Sequence, residues 1–155
     1  MEHLASLRHF RDLRDGDHGG AVTRADKERL FARAVTLLDP VARQVLDEVD
    51  SALLLGTGHV SRRAQDAGLT IVWGLTWREQ RDAGVQPVML IAHYGRSFHH
   101  PHLRGGTVGD WPLNVFTPAD AQAELPTLRA IATADVHNLV FQANYRLIPA
   151  ITTRP

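Results

Sequence analysis

Leu69-Thr70-Ile71-Val72-Trp73-Gly74-Leu75-Thr76-Trp77 is the stretch that decides the fold. Leu69, Ile71, Trp73, Leu75 and Trp77 take every second position, and Thr70, Gly74 and Thr76 stand between them. Alternate side chains of an extended chain point to opposite faces, so this period describes a strand with one apolar face. Upstream, His59–Arg63 is its hairpin partner across an Asp66-Ala67-Gly68 turn. Downstream, Glu79–Gln86 reads as a polar loop. Pro87 then opens a second strand, Val88–Tyr94, apolar on both faces and therefore central. Val108–Phe116 is a third strand, which Pro112 confines to a sheet edge or a bulge.

The flanks follow a different period. After Thr23 and Asp26, a capping-box-like start, Leu30, Phe31, Ala34, Leu37 and Leu38 trace one helical face. Asp39-Pro40 restarts the chain as a second helix, which buries Val41, Val45, Val49, Ala52 and Leu53 and ends at Gly56. Thr117-Pro118-x-Asp120 begins another helix, and Pro126 restarts it through Leu128, Ile131 and Ala132. His137–Ile148 fits either period, and a last strand is placed near Asn144–Ile148. The expected fold is α+β: N-terminal helices packed on a small, mostly antiparallel sheet, with one C-terminal helical segment and a final strand. Leu4, Leu7, Phe10 and Leu13 lie three apart, an amphipathic helix for docking on the body or on a partner. Residues 1–20 are this segment plus a Gly-rich connector, 21–150 a single domain, and 151–155 a tail. Asp15, Asp17 and His18 in the connector could bind a cation, but acidic residues in a Gly-rich turn read first as a solvated loop.

The 155 residues carry 17 basic and 17 acidic side chains, with no block of either sign. A duplex nucleic acid partner would need a basic stripe, and none is present. No apolar run reaches the length of a membrane span, and no signal peptide is visible at the N-terminus. The absence of cysteine removes disulfides and thiolate metal ligands, and fits a cytoplasmic location.

Chemistry concentrates in Ile91–Trp111, where four of the nine histidines fall between His93 and His102. Imidazole is the commonest ligand for zinc or iron, and three with an open position make a catalytic metal site. His93 ends a strand, and extended chain through Pro101 puts His100 and His102 on one side. These three are the expected metal ligands, with Asp110 and His137 in reserve. The His100-x-His102 pair is similar to part of the first cupin motif, but Gly106 and Thr107 fill the positions of its glutamate, so that family is not carried over.

Against the metal site stands a purely structural reading, in which His99-His100-Pro101-His102 is a packed turn with histidines on backbone carbonyls and Trp111 over it. The second functional reading is a metal-independent acid–base or ligand-binding site. Arg96 and Arg104 would grip a carboxylate or phosphate, and Gly105 and Gly106 would close backbone N–H groups around it. His99 would move protons and Tyr94 would donate to an oxyanion. Trp73 and Trp77 are core or the wall of an apolar pocket. Ser97 lacks an elbow motif, and Glu79 could be a general base or a fourth ligand but reads first as a solvated loop residue. The leading expectation is an enzyme with zinc or iron that acts on a small anionic organic substrate, with hydrolase, lyase and oxygenase chemistry all open. A third reading is a non-catalytic interaction module, a homodimer through Leu4–Leu13 or the strand near Trp111.

Overall fold

The computed structural model describes residues 3–153. It contains α1 (His3–Asp15), α2 (Arg24–Leu53), β1 (His59–Gln65), β2 (Thr70–Thr76), α3 (Arg78–Ala83), β3 (Val88–His93), β4 (His102–Gly105), β5 (Trp111–Pro112), α4 (Pro118–Ala123), α5 (Leu125–Gln142) and α6 (Pro149–Thr152). The five strands form one antiparallel sheet in the order β1-β2-β3-β4-β5. The class is α+β, as the alternation in Leu69–Trp77 and the helical stripes require.

α2 and α5 pack against each other and cover one face of the sheet. Ile71, Trp73 and Leu75 of β2, Leu90 and Ala92 of β3, and Leu103 of β4 meet Phe31, Leu38, Val45, Leu128, Ile131 and Leu139 in one core. The helix starts are those read from the sequence. Thr23 Oγ1 accepts the Asp26 N–H at 3.2 Å. At α4, Thr117 Oγ1 accepts the Asp120 N–H at 3.1 Å while the Asp120 carboxylate accepts the N–H of Thr117 at 3.2 Å.

Four expectations are corrected. The helix does not restart at Pro40; α2 runs through it for 30 residues. An interior proline costs about 3 kcal/mol. Here the buried stripe Leu38, Val41, Ala42 and Val45 continues across it and offsets that cost. Asp39, expected to cap, instead accepts the Trp73 indole N–H at 2.9 Å and the Arg43 Nε–H at 3.0 Å. The polar loop after Trp77 holds the short helix α3, closed by Gly84 at φ 69°. The third strand lies earlier than expected: β4 occupies His102–Gly105, inside the histidine stretch, and only Trp111–Pro112 of the later segment pairs.

The last strand is also absent. α5 runs to Gln142, a 3-10 turn spans Tyr145–Leu147, and α6 follows. Val136 and Leu139 continue the buried helical row of Leu128 and Ile131, while Phe141 is 79% exposed, so the apparent Leu139/Phe141 alternation has no inner face. The tail expected at 151–155 begins inside α6, and Arg154 and Pro155 lie outside the described residues.

Candidate functional site

Strand pairing sorts the histidine stretch into two places. Cross-strand partners share a face. Leu90, Ala92 and Leu103 point into the core, so Ile91, His93, His102 and Arg104 point to the opposite face, which neither α2 nor α5 covers. One row across that face runs Arg63, Val72, Ile91, Arg104, and the next runs Gln65, Thr70, His93, His102. Val72 and Ile91 are only 5% and 6% exposed although they face outward. Arg63 and Arg104 flank them in the same row, and the aliphatic stems of arginine are suited to shielding such residues while the guanidinium stays in water.

His93 is the best-oriented titratable group on this face. Its Nδ1 lies 2.7 Å from Thr70 Oγ1, and the Thr70 hydroxyl donates to Asp66 Oδ2 at 2.8 Å. A carboxylate accepts, so the hydroxyl proton points to Asp66 and the hydroxyl oxygen must accept from His93. The proton of His93 is therefore on Nδ1, and Nε2 presents a lone pair. The backbone supports this relay from the turn. Asp66 and Ala67 hold left-handed conformations, φ 53° and 55°, which bring the Asp66 carboxylate back to the start of β2.

Burial, and next the Arg104 guanidinium, hold the His93 pKa below its ordinary value, against Asp66 and Asp110, which raise it. His93 is thus a neutral base at pH 7. Gly95 keeps its approach open: a Cβ there would stand 3.1 Å from His93 Nε2 and 2.5 Å from the Phe98 ring.

The loop beyond His93 is fixed by a residue the sequence did not single out. Arg24, at the start of α2, lies with its guanidinium 3.6 Å from the centre of the Tyr94 ring. It donates to the backbone oxygens of Tyr94 (3.3 Å), Gly95 (3.2 Å) and Phe98 (3.0 Å). Its partner Tyr94 is core, packed on Phe31, and its hydroxyl reaches His99 O at 3.3 Å. Asp135 was also missed. Fully buried on α5, it accepts from Met89 N at 2.9 Å, Thr107 N at 2.8 Å and the Thr107 hydroxyl at 2.5 Å, locking the turn after β4 to the start of β3.

His100 turns the other way. Its ring meets His9 of α1 at 4.8 Å and His18 at 4.7 Å between centroids, both edge-on. The three rings are 1%, 6% and 2% exposed for His100, His9 and His18. His18, expected in a solvated turn, is therefore buried, tied by backbone bonds with Ala21 at 3.0 and 2.9 Å. Gly19, beside it at φ 58°, has no room for a side chain, because a Cβ would overlap the Phe116 ring.

The remaining expected site residues are dispersed. His93 and His102 are cross-strand neighbours, whereas His100 is in the buried cluster, so the set expected to ligate a metal does not converge. Among the described residues, no group of three or more His, Cys, Asp or Glu side chains is arranged to hold a metal ion. His99, Arg96 and Ser97 are exposed on the loop, and Asp110 is exposed near His93. His137 is exposed on α5, its ring tilted against that of Phe141.

Gly105 spends its N–H on Val108 O at 2.6 Å and faces Ile131, and Gly106 lies against Met89 and Gln86. The Gly105 N–H is thus engaged within the turn and not free for an anion. Trp73 and Trp77 are core, the latter donating to Leu147 O at 2.7 Å. Two clefts mark the surface, about 690 Å³ along α2 from Pro40 to Ala52 and about 240 Å³ between α3 and Asn144–Leu147, where Glu79 lies. Neither borders the histidines, whose sheet face is an open surface. No helix among the described residues is long and apolar enough to cross a membrane. No protein-family model, curated protein or solved structure matches this chain.

Proposed function

We propose that this chain binds a small anionic organic ligand on the open face of its sheet and exchanges a proton with it through His93, without a metal. Arg104 takes the anionic group, His102 lines the site from the neighbouring strand, and His93 Nε2 accepts a proton from an acidic O–H or C–H of the ligand. The resulting imidazolium is stabilised by Asp66 through the Thr70 hydroxyl, and the proton returns to the product from the same nitrogen. The observation that carries this reading is the Asp66–Thr70–His93 chain of hydrogen bonds, which fixes one tautomer and leaves the reactive nitrogen free.

An anion beside Arg104 offsets the charge that depresses His93. Binding therefore favours the protonated ring and strengthens as pH falls through the ordinary 6.5 toward the lowered His93 pKa. Titrating the full chain with inorganic phosphate and with succinate, followed by the histidine ring signals in NMR, tests it. Shifts at His93 and His102, lost in Arg104→Ala, are expected. Unmoved His93 and His102 signals with both anions would contradict it.

Self-association is a second reading, favoured by one observation. Leu4 and Phe10 of α1 are 80% and 63% exposed, so most of the helix's apolar stripe faces away from the body. The chain is electrically neutral overall, so no net charge opposes contact between two copies. Sedimentation of the full chain beside a Leu4→Ser/Phe10→Ser double variant checks this: a mass that falls to that of one chain supports it, and an equal mass in both contradicts it.

A further inference from the structure

The amphipathic helix is docked the wrong way round for a hydrophobic anchor. Of α1, only His9 is buried, while Leu4, Leu7, Phe10 and Leu13 are all exposed. The contact row is Ser6, His9 and Asp12, and its centre is an imidazole seated on two others. A helix whose only buried side chain is titratable is held by the protonation state of that contact.

Hydrogen bonding within the cluster is arranged for neutral rings. His9 Nδ1 lies 3.2 Å from the Asn114 side-chain amide. His100 Nε2 donates to Asp17 O at 2.8 Å, which leaves its Nδ1 bare. His100 Nδ1 and His18 Nδ1 are both buried without a hydrogen-bond partner. A proton added to either nitrogen would find no acceptor in place. It would also stand beside neighbouring imidazoles and near Lys27 of α2.

The groups facing the cluster are Asp12 on α1, Asp17 in the connector, Lys27 on α2 and His102 on β4. Arg8 of α1 lies over Phe116, which itself packs on His18. The two carboxylates favour protonation and the cations oppose it, but neither carboxylate is hydrogen-bonded to a ring.

From this geometry we infer that the His9–His18–His100 cluster is a proton-operated latch: neutral, it holds α1 on the body; protonated, it releases α1 while the sheet stays folded. Burial is the first cause that lowers the pKa of all three rings; the neighbouring imidazoles add to it at His9 and His18, Lys27 and His102 add to it at His100, and His18 falls to about 4. The sign follows. Released with α1, His9 returns toward the ordinary 6.5, and His18 and His100 lose a burying neighbour, so the released state binds more protons than the docked one below that pH. Docking is therefore fully favoured above about pH 6.5 and weakens as pH falls from there toward 4. This inference does not depend on the anion site.

Amide hydrogen exchange of the full chain, compared at pH 7 and pH 5 after correction for intrinsic rates, tests the latch. Exchange over residues 3–15 should rise on the order of tenfold or more at pH 5, while amides such as Val72 and Leu90 stay protected. His9→Phe keeps an aromatic edge against His100 and removes the proton site on α1, and should flatten that response. His18→Phe, which preserves contact with His100 and Phe116, should do the same, and serves if the first variant fails to dock at pH 7. Unchanged α1 exchange at pH 5, loss of sheet protection at the same pH as α1, or wild-type pH response in the docked variants would overturn the inference.

Discussion

His93 and His100 are seven residues apart, yet they occupy opposite chemical worlds. His93 ends a strand on an open face, with one nitrogen engaged by a hydroxyl relay and the other free for a ligand. His100 follows the loop into a packed cluster, with one nitrogen on a backbone oxygen and the other buried without a partner. Both have lowered pKa values, and in both burial is the first cause. Burial beside a usable lone pair makes a base; burial among like groups makes a joint. A pKa shift alone does not distinguish the two, and the surroundings of the second nitrogen do.

The largest effect that separates these regions is expected from His100→Ala. It removes the ring that His9 and His18 both touch and leaves Asp17 O without its donor. Cavity and lost hydrogen bond together should cost about 3 kcal/mol in urea unfolding, with anion binding on the sheet face unchanged. Arg104→Ala should do the reverse: affinity for phosphate or succinate in calorimetry falls about tenfold, and stability stays within about 0.5 kcal/mol.

Thr70→Val keeps the shape and removes the hydroxyl between His93 and Asp66. We expect a loss near 1 kcal/mol, and nitrogen-15 NMR of His93 should show the Nδ1–H tautomer no longer dominant. His99→Ala is the smallest change. The ring is exposed and only the backbone oxygen at this position meets Tyr94, so both stability and anion binding should hold within about 0.5 kcal/mol. A larger loss of binding would return His99 to the catalytic role its position in the sequence suggests.

How much of this was legible in the sequence follows from the range of the forces involved. The alternation in Leu69–Trp77 and the caps at Thr23 and Thr117 are local, and the structure contains them where the residues predict. The run through Pro40 was not legible, because burial of a 30-residue stripe is a property of the packed core. The site was half legible. His93 at a strand end and Arg104 near it could be read from spacing, but the face they share depends on a β4 strand that only pairing with β3 creates.

Asp66 and Arg24 gave no signal of their own. Thr70 did occupy the polar side of the decisive strand, opposite the core, and that was a usable clue. His9 was not singled out and His18 was read as solvated, because a histidine in an amphipathic helix and another in a Gly-rich turn each look solvated until the chain brings them to His100.

The division of the histidines is tested most directly by one experiment, a histidine ring NMR titration of the full chain with inorganic phosphate at pH 7. The account predicts that His93 and His102 shift in a saturable way, while His9, His18 and His100 stay unmoved. Shifts centred on the buried three, with His93 and His102 silent, would contradict it.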